Sequence, residues 1–542
     1  MHATVHDVFR ATAARTPGAE FLFTESVTAA AYGIKAGPIR WGEAAVEVER
    51  LRAAYARAGY GHGHRVGLLL ENRPVFLFHW FALNALGVSV VPINAEMRAA
   101  ELAYLIGHSE IGLAVTLPVR AADLRAAATE AGVVFETMDA EATGAVPPAK
   151  TAPPRVGEAI GLSTECGLLY TSGTTGRPKG CILDNAYFLH AGEWYAALDG
   201  VCGVRPDAER VITPLPLNHM NAMAFSAMVV LVEGGCLVQL DRFHPTTWLR
   251  SARESRATIA HYLGVMPAML LSAPASAADR EHFIRWGFGA GVDRMNHAPF
   301  EARFGFPLVE AWAMTETGAA ACVMAHREPR LVGTSCFGRR QDYVDIRLVD
   351  DAGRDVPIDA AGELLVRSAG DDPRRYFFSG YLKDEEATRE VWAGGWFHTG
   401  DLVRRDAEGN FFFVDRKKNV IRRSGENISA VEVESVLNQH PAVKASAVAA
   451  TPDAVRGDEV LACIVTRDAV SGHEHVQIAE SIVRHALDQL AYYKAPGYVA
   501  FVQELPLTAS QKIQRGQLRE LAQTLPGQNH CVDTRAMKKR QG

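Results

Sequence analysis

The sequence has no excess of charge of one sign. Lys and Arg number 56 against 62 Asp and Glu, a formal net charge of -6. Without a basic patch or tail there is no electrostatic footprint for nucleic acid, so a nucleic-acid partner is not expected. Cysteine is sparse and unpatterned. The eight residues at 166, 181, 202, 236, 322, 336, 463 and 531 include no CxxC pair. They read as reduced, mostly buried thiols rather than a disulfide framework or a zinc site. The first 21 residues lack an apolar h-region, so no signal peptide is expected, and the final KKRQG is no prenylation box. Long hydrophobic runs are also missing, with one exception. No charged residue occurs between Pro74 and Ala95. Even there the grammar changes midway: VFLFHWFALNAL has helical spacing, Gly87 stops it, and VSVVPI is β-branched. A helix followed by a buried strand is expected, not a membrane span. These absences point to a soluble, cytoplasmic protein. A homodimer is left open.

What remains is the composition of an ordinary globular chain, 48% hydrophobic and 22% charged. At roughly 100–200 residues per domain, its 542 residues suggest three or four structural units. Short apolar runs, RVGLLLEN, VSVVPI and IGLAVTL, alternate with helical patterns, which is the signature of an α/β fold with a parallel sheet. A Pro-rich connector occupies about 140–160. A second α/β block, containing GLLYTSGTTG, is expected over about 161–330. Thereafter VDIRLVDDAG, GELLVRS and GWFHTGDLVRRDAEGNFFFVDRKK are short strands broken by DAG, AEGN and GG turns, a small β subdomain. After Lys418 come about 120 residues of mixed helix and strand. The expected fold class is therefore α/β. A large N-terminal domain (1–416) has two α/β subdomains with parallel-type sheets plus a small β subdomain, and a small α+β C-terminal domain (417–542) follows.

The segment YTSGTTGRPKG (170–180) carries the clearest chemistry. A strand runs into a loop with three Gly, four hydroxyls and a Lys. Glycine lets the backbone approach a ligand closely, and successive N–H groups and hydroxyls can wrap phosphate oxygens while Lys supplies charge. The spacing is not that of a P-loop ATPase, because Arg177-Pro178 separates the second Gly from Lys179.

This segment resembles the phosphate-binding signature of the adenylate-forming superfamily of acyl-CoA synthetases, luciferases and adenylation domains. Four further segments resemble that family's motifs in the same order: Trp312-Ala-Met-Thr315-Glu316, Gly395-Trp-Phe-His-Thr399-Gly400-Asp401, Val414-Asp415-Arg416-Lys417-Lys418 continuing to Gly425-Glu-Asn-Ile, and Leu505-Pro-Leu-Thr508-Ala-Ser-Gln-Lys512-Ile. The resemblance spans the chain and implies roles. Thr171, Ser172, Gly173, Thr174, Thr175, Gly176 and Lys179 would hold the β- and γ-phosphates of ATP. Thr315 would contact the α-phosphate and Glu316 a Mg²⁺ ion. Trp312 would stack on adenine, and Gly291 would pack against adenine and the acyl group. Asp401 and Arg416 would take the ribose, and Lys512 would bridge the substrate carboxylate and the α-phosphate. Gly425 would line the pantetheine tunnel of CoA, and His219 would gate the acyl pocket. The C-terminal domain is expected to move between half-reactions, pivoting near Lys418. Trp312 for Tyr, Ala313 for Gly, Cys181 for Val and Gln511 for Gly depart from the family pattern.

The implied activity is activation of a small carboxylic acid as acyl-AMP, followed by transfer to CoA as a thioester. The helix AYFLHAGEWYAALDG and the VIRRSGENIS segment are similar to the crotonobetaine/carnitine-CoA ligase branch. Phe188, Trp194 and Tyr195 on that helix read either as a cage for a quaternary ammonium or as helix-packing residues. A carnitine-like, an aryl and a short branched acid all remain as substrates. Two other readings stand beside this one: an adenylating enzyme with a non-CoA acceptor, and a non-catalytic ATP-binding protein.

Overall fold

The structure is a computed structural model that describes residues 2–141, 146–171, 178–423, 426–453, 456–470, 474–507 and 512–538, with the backbone alone at 418, 422, 426 and 427. The chain divides into two compact units. The first comprises Met1–Val292, Asn296–Ile346 and Val366–Phe397; the second comprises Asp293–Met295, Arg347–Leu365 and His398–Gly542.

Fourteen strands of the first unit matter for the site. They are β1 (Glu20–Thr24), β2 (Gly37–Arg40), β3 (Arg65–Leu69), β4 (Ser89–Pro92), β5 (Leu113–Thr116), β6 (Glu136–Asp139), β7 (Glu165–Thr171), β8 (Lys179–Asp184), β9 (Arg210–Thr213), β10 (Cys236–Gln239), β11 (Ile259–Leu263), β12 (Trp286–Ala290), β13 (Leu308–Trp312) and β14 (Val323–Met324). One sheet has the order β14-β13-β12-β11-β9-β10-β1-β2. Its neighbours from β13 to β1 are parallel, with an antiparallel strand at each edge. The other runs from the two-residue strand Gly380–Tyr381 through β8-β7-β4-β3-β5 to β6. It is parallel from β7 to β6 and antiparallel at β8 and beyond.

The uncharged stretch resolves into the helix Val75–Asn84 and strand β4. Nine of the helix's ten residues are buried, which accounts for its all-round apolar pattern. No described helix is long and apolar enough to cross a membrane. All eight cysteines are free, and seven are buried.

Chain order misleads in one respect. GLLYTSGTTG, expected in the second α/β block, starts in β7, which pairs with β4 of the first. Conversely, β1 and β2 near the N-terminus edge the sheet built mainly from 210–324. The two sheets interleave along the chain because pairing partners are chosen by packing between distant segments. Hydrophobic periodicity reports a strand but not its neighbour.

In the second unit, strands Phe397–Arg405 and Asn410–Arg416 form an antiparallel hairpin, which from His398 on belongs to this unit. Beyond it, Val443–Asp453 and Gly457–Thr466 pair over their whole length, and the helices Ala430–Leu437 and His475–Gln489 pack their apolar faces into one core. A charged cluster lies in this unit. Glu459 is fully buried, and it accepts from Arg423 Nε at 2.8 Å and from Lys538 Nζ at 2.5 Å.

Two cations thus share one carboxylate. Burial lowers the Lys538 pKa to about 8, against the opposing pull of Glu459. A lysine whose folded pKa lies below its unfolded value of about 10.4 binds its proton more readily in the unfolded chain. Stability should therefore rise as pH climbs from about 8 towards 10. Denaturant unfolding of wild type and Lys538→Met should diverge in favour of wild type over that range, by up to about 3 kcal/mol. A pH-independent difference would contradict this account.

Candidate active site

Parallel α/β sheets present ligands at the carboxyl ends of their strands, where loops can diverge. In the first sheet those ends carry five of the residues singled out in the sequence. Trp312 is the last residue of β13; Thr315 and Glu316 follow it, and Gly291 follows β12. His219 lies six residues beyond the end of β9, on an exposed turn.

Backbone crowding shapes the end of β12. Gly291 has φ +79°, and a Cβ on Gly264 would lie 1.6 Å from the Gly291 carbonyl oxygen, so the β11 and β12 termini approach as only glycine permits. Behind them stands Glu310, a buried carboxylate within β13. It accepts from the Gly291 and Val292 amides at 2.9 and 3.2 Å and from the Tyr262 hydroxyl at 3.0 Å. Burial raises its pKa despite these donors. Glu310 fixes the 291–292 corner. A signal for it was present: a carboxylate inside the apolar strand LVEAW must find donors or cost several kcal/mol.

The phosphate-loop motif closes the β7–β8 hairpin. Thr171 ends β7, Lys179 begins β8, and their Cα atoms are partners across the ladder. Strand, not helix, follows the loop, which separates it structurally from a P-loop. Ser172, Gly173, Thr174, Thr175 and Gly176 lie outside the described residues. Beside the loop, Tyr104 donates to the Pro178 carbonyl at 2.9 Å.

Lys179 and Glu316 converge on one side chain that motif reading missed. Tyr381 donates its hydroxyl to Glu316 Oε1 at 2.9 Å. The Lys179 ammonium lies 4.9 Å from the centroid of the same ring and 3.5 Å from Asp384. Burial, with the Glu316 charge next, pushes the Tyr381 phenol well up, so it stays a donor. Thr315 is held through its backbone, its carbonyl accepting from Tyr187 at 2.9 Å. Thr317 Oγ1 accepts from the Met314 amide at 3.0 Å and closes the turn. Trp312 is buried, its ring centroid 6.4 Å from that of Phe337. A Gly-Tyr pair in a strand of two residues carries no periodicity, which is why Tyr381 escaped notice.

The second unit brings together three further residues. Asp401 and Arg416 are partners across their hairpin, and Arg416 Nε lies 2.6 Å from Asp401 Oδ1. The contact is an ion pair across the hairpin. Asp401 is 1% exposed and Arg416 41%, so the pair reaches solvent through the arginine. The Asp401 amide donates to Thr399 Oγ1 at 3.0 Å, and that hydroxyl donates to the Leu364 carbonyl at 2.7 Å. Lys512 is exposed to water, yet desolvation, and after it the Arg416 charge, lowers its pKa. An ammonium reachable by solvent but with protein around it fits both observations. Gly425 lies outside the described residues.

The helix Asn185–Ala196 packs its aromatics inward. Phe188 meets Trp80 at 5.2 Å, and Tyr195 meets Trp286 at 5.8 Å. Both are fully buried, and Trp194 donates to the Tyr343 hydroxyl at 2.8 Å. The three rings serve packing.

Sequence and structure comparisons agree with this architecture. The profile of the AMP-binding enzyme family matches residues 9–382, and that of the AMP-binding enzyme C-terminal domain matches 432–512. The chain belongs to the AMP-binding enzymes. Within that family it lies in the acyl-CoA ligase branch, the AMP-forming acid–thiol ligases. It is 32% identical to a sulfoacetate–CoA ligase of Cupriavidus necator over 88% of this chain and 91% of that protein. A crotonobetaine/carnitine–CoA ligase of Escherichia coli is 30% identical over 87% and 91%. Among solved structures, an o-succinylbenzoate CoA synthetase of Bacillus subtilis with its acyl-adenylate has TM-score 0.77 at 24% identity, covering 94% and 97%. A benzoate CoA ligase of Burkholderia xenovorans has TM-score 0.79 at 23% identity, covering 96% and 100%.

Removing the Tyr381 hydroxyl leaves the Glu316 carboxylate short of its described donor, a loss of about 1–3 kcal/mol. Tyr381→Phe should slow acid-dependent pyrophosphate exchange about 10- to 100-fold. An unchanged rate would mean that Glu316 is positioned without it.

Proposed function

We propose that this AMP-binding enzyme converts a short polar carboxylic acid to its acyl-CoA thioester through an acyl-AMP intermediate. The convergence of Lys179 and Glu316 on Tyr381 at the phosphate hairpin is the observation that carries this reading. A carboxylate is a poor electrophile, and its oxygen leaves readily only once it bears AMP. The hairpin loop, residues 171–179, holds the departing pyrophosphate, and Thr315 meets the α-phosphate. Asp401 is acceptor-only and suits the ribose hydroxyls, with Arg416 beside it. Lys512 faces the charge that develops between the acid and the α-phosphate. Its lowered pKa reflects a desolvated charge that a bound anion would restore.

A magnesium ion fits Glu316. No cluster of three carboxylate, histidine or cysteine ligands occurs among the described residues. Magnesium accompanying a nucleotide needs only one or two protein carboxylates beside phosphates and water. When bound, the ion would neutralise phosphate charge.

The names of the similar ligases support short polar acids, sulfoacetate or a carnitine-like betaine, over long-chain ones. Packing of Phe188, Trp194 and Tyr195 within the helix core weighs against an aromatic cage built from those three. The C-terminal domain is proposed to pivot near Lys418, so that Lys512 serves adenylation and Gly425 serves the thiol step.

Lys512→Ala separates the half-reactions. A preorganised donor opposite developing charge is worth about 10²–10³ in rate. The variant should lose adenylation by at least that factor yet still convert supplied acyl-AMP and CoA to thioester. Equal loss in both steps would rule out a role for Lys512 confined to adenylation, and thioester formation without AMP release would overturn the function itself.

A further inference from the structure

Beneath the turn that bears His219, a chain of buried polar groups fixes the orientation of one amide. Residues Asn221–Ala227 form a π-helical segment, a wide turn found preferentially at functional sites. Its width brings Ser226 Oγ to within 3.4 Å of the Asn221 carbonyl, five residues back, to which the hydroxyl donates. Both side chains then meet His261 on β11. Nδ1 lies 2.9 Å from Asn221 Oδ1 and 2.8 Å from Ser226 Oγ, while Nε2 lies 2.8 Å from the Tyr195 hydroxyl.

Hydrogen accounting settles the protons. Tyr195 is fully buried, and His261 Nε2 is its one hydrogen-bond partner among the described residues, so the phenol must donate there. His261 is also fully buried, which lowers its pKa to about 3 and keeps the ring neutral. A neutral imidazole that accepts at Nε2 carries its hydrogen on Nδ1. That hydrogen needs acceptors, so Asn221 turns its Oδ1 inward. Its Nδ2, the donor end, faces away, and no described residue accepts from it. Asn221 is only half-buried, and it follows the carboxyl end of β9, the side of the sheet that carries Gly291 and Thr315.

We infer that Asn221 donates from Nδ2 to an oxygen at the far end of the acid substrate, and that His261 and Tyr195 are positioning residues that hold the amide in this sense. The inference rests on the proposed ligase function and narrows its substrate class to short acids bearing a second oxygen-rich group, such as a sulfonate or carboxylate. Quaternary ammonium acids, which offer no acceptor there, fall outside the class.

Three acids of nearly equal shape test it: sulfoacetate, 3,3-dimethylbutyrate and glycine betaine differ at the far end as anion with acceptors, neutral hydrocarbon and cation. A site built around a hydrogen bond should favour sulfoacetate over both others in kcat/KM by at least about 100-fold. Asn221→Leu should cut that ratio at least about 10-fold. Tyr195→Phe, which frees the His261 tautomer, should cut it less, while kcat with the best acid falls less than the ratio. A preference for either other acid in wild type, or a ratio unchanged in Asn221→Leu, overturns the inference. If none of the three is turned over, the acid range proposed above fails, and thermal stabilisation by sulfoacetate decides the inference alone. It stands if wild type is stabilised and Asn221→Leu is not, and it falls otherwise.

Discussion

A buried carboxylate must find a donor, and Glu316 finds it on Tyr381. That hydrogen bond, with one from the Phe378 amide to the Glu316 carbonyl, joins the two sheets of the first unit at the point where chemistry is expected. Glu316 sits just past β13 in one sheet. Tyr381 belongs to the short strand that pairs with β8 at the edge of the other. Because β8 begins with Lys179, the same aromatic ring meets the phosphate-loop cation on its face and the carboxylate at its rim. The two opposite charges thereby share one ring, with Asp384 completing the surroundings of Lys179.

The second unit solves a different problem. Asp401 is sealed behind Arg416, with its backbone pinned through Thr399 to Leu364. Its charge is tolerable in so dry a position because the arginine spans the hairpin to meet it. Lys512 carries the opposite strain: a desolvated cation near a second cation. The polar chain from Tyr195 through His261 to Asn221 follows the same logic in neutral form. Each buried group is satisfied on one side so that a single donor is left over on the other.

Much of this was legible in the sequence, for reasons that can be named. The phosphate loop stood out because a glycine- and hydroxyl-rich segment follows an apolar strand, whereas Glu316, Asp401 and Lys512 were marked only by resemblance to the family's motifs. The apolar run at 74–95 resolved correctly because its period changes at Gly87. Strand partnership was not legible: β7 joins the sheet of β3 to β6 and β1 the sheet of β9 to β14, since long-range pairing leaves no local mark. Tyr381 and His261 were equally silent, lone polar groups whose meaning depends wholly on what they touch. Glu310 was readable but unread, a carboxylate inside a buried strand. For Phe188, Trp194 and Tyr195 the sequence left a ligand cage and helix packing both open, and the contacts decide for packing.

The central claim is that the substrate carboxylate attacks the α-phosphate of ATP, so that its own oxygen becomes the bridge to AMP. Isotope transfer tests that step directly. Acid labelled with ¹⁸O in the carboxylate is turned over with ATP and CoA, and the phosphorus products are examined by mass spectrometry. The account predicts one labelled oxygen in AMP and none in pyrophosphate. Label appearing in inorganic phosphate alongside ADP would place the attack on the γ-phosphate and contradict it.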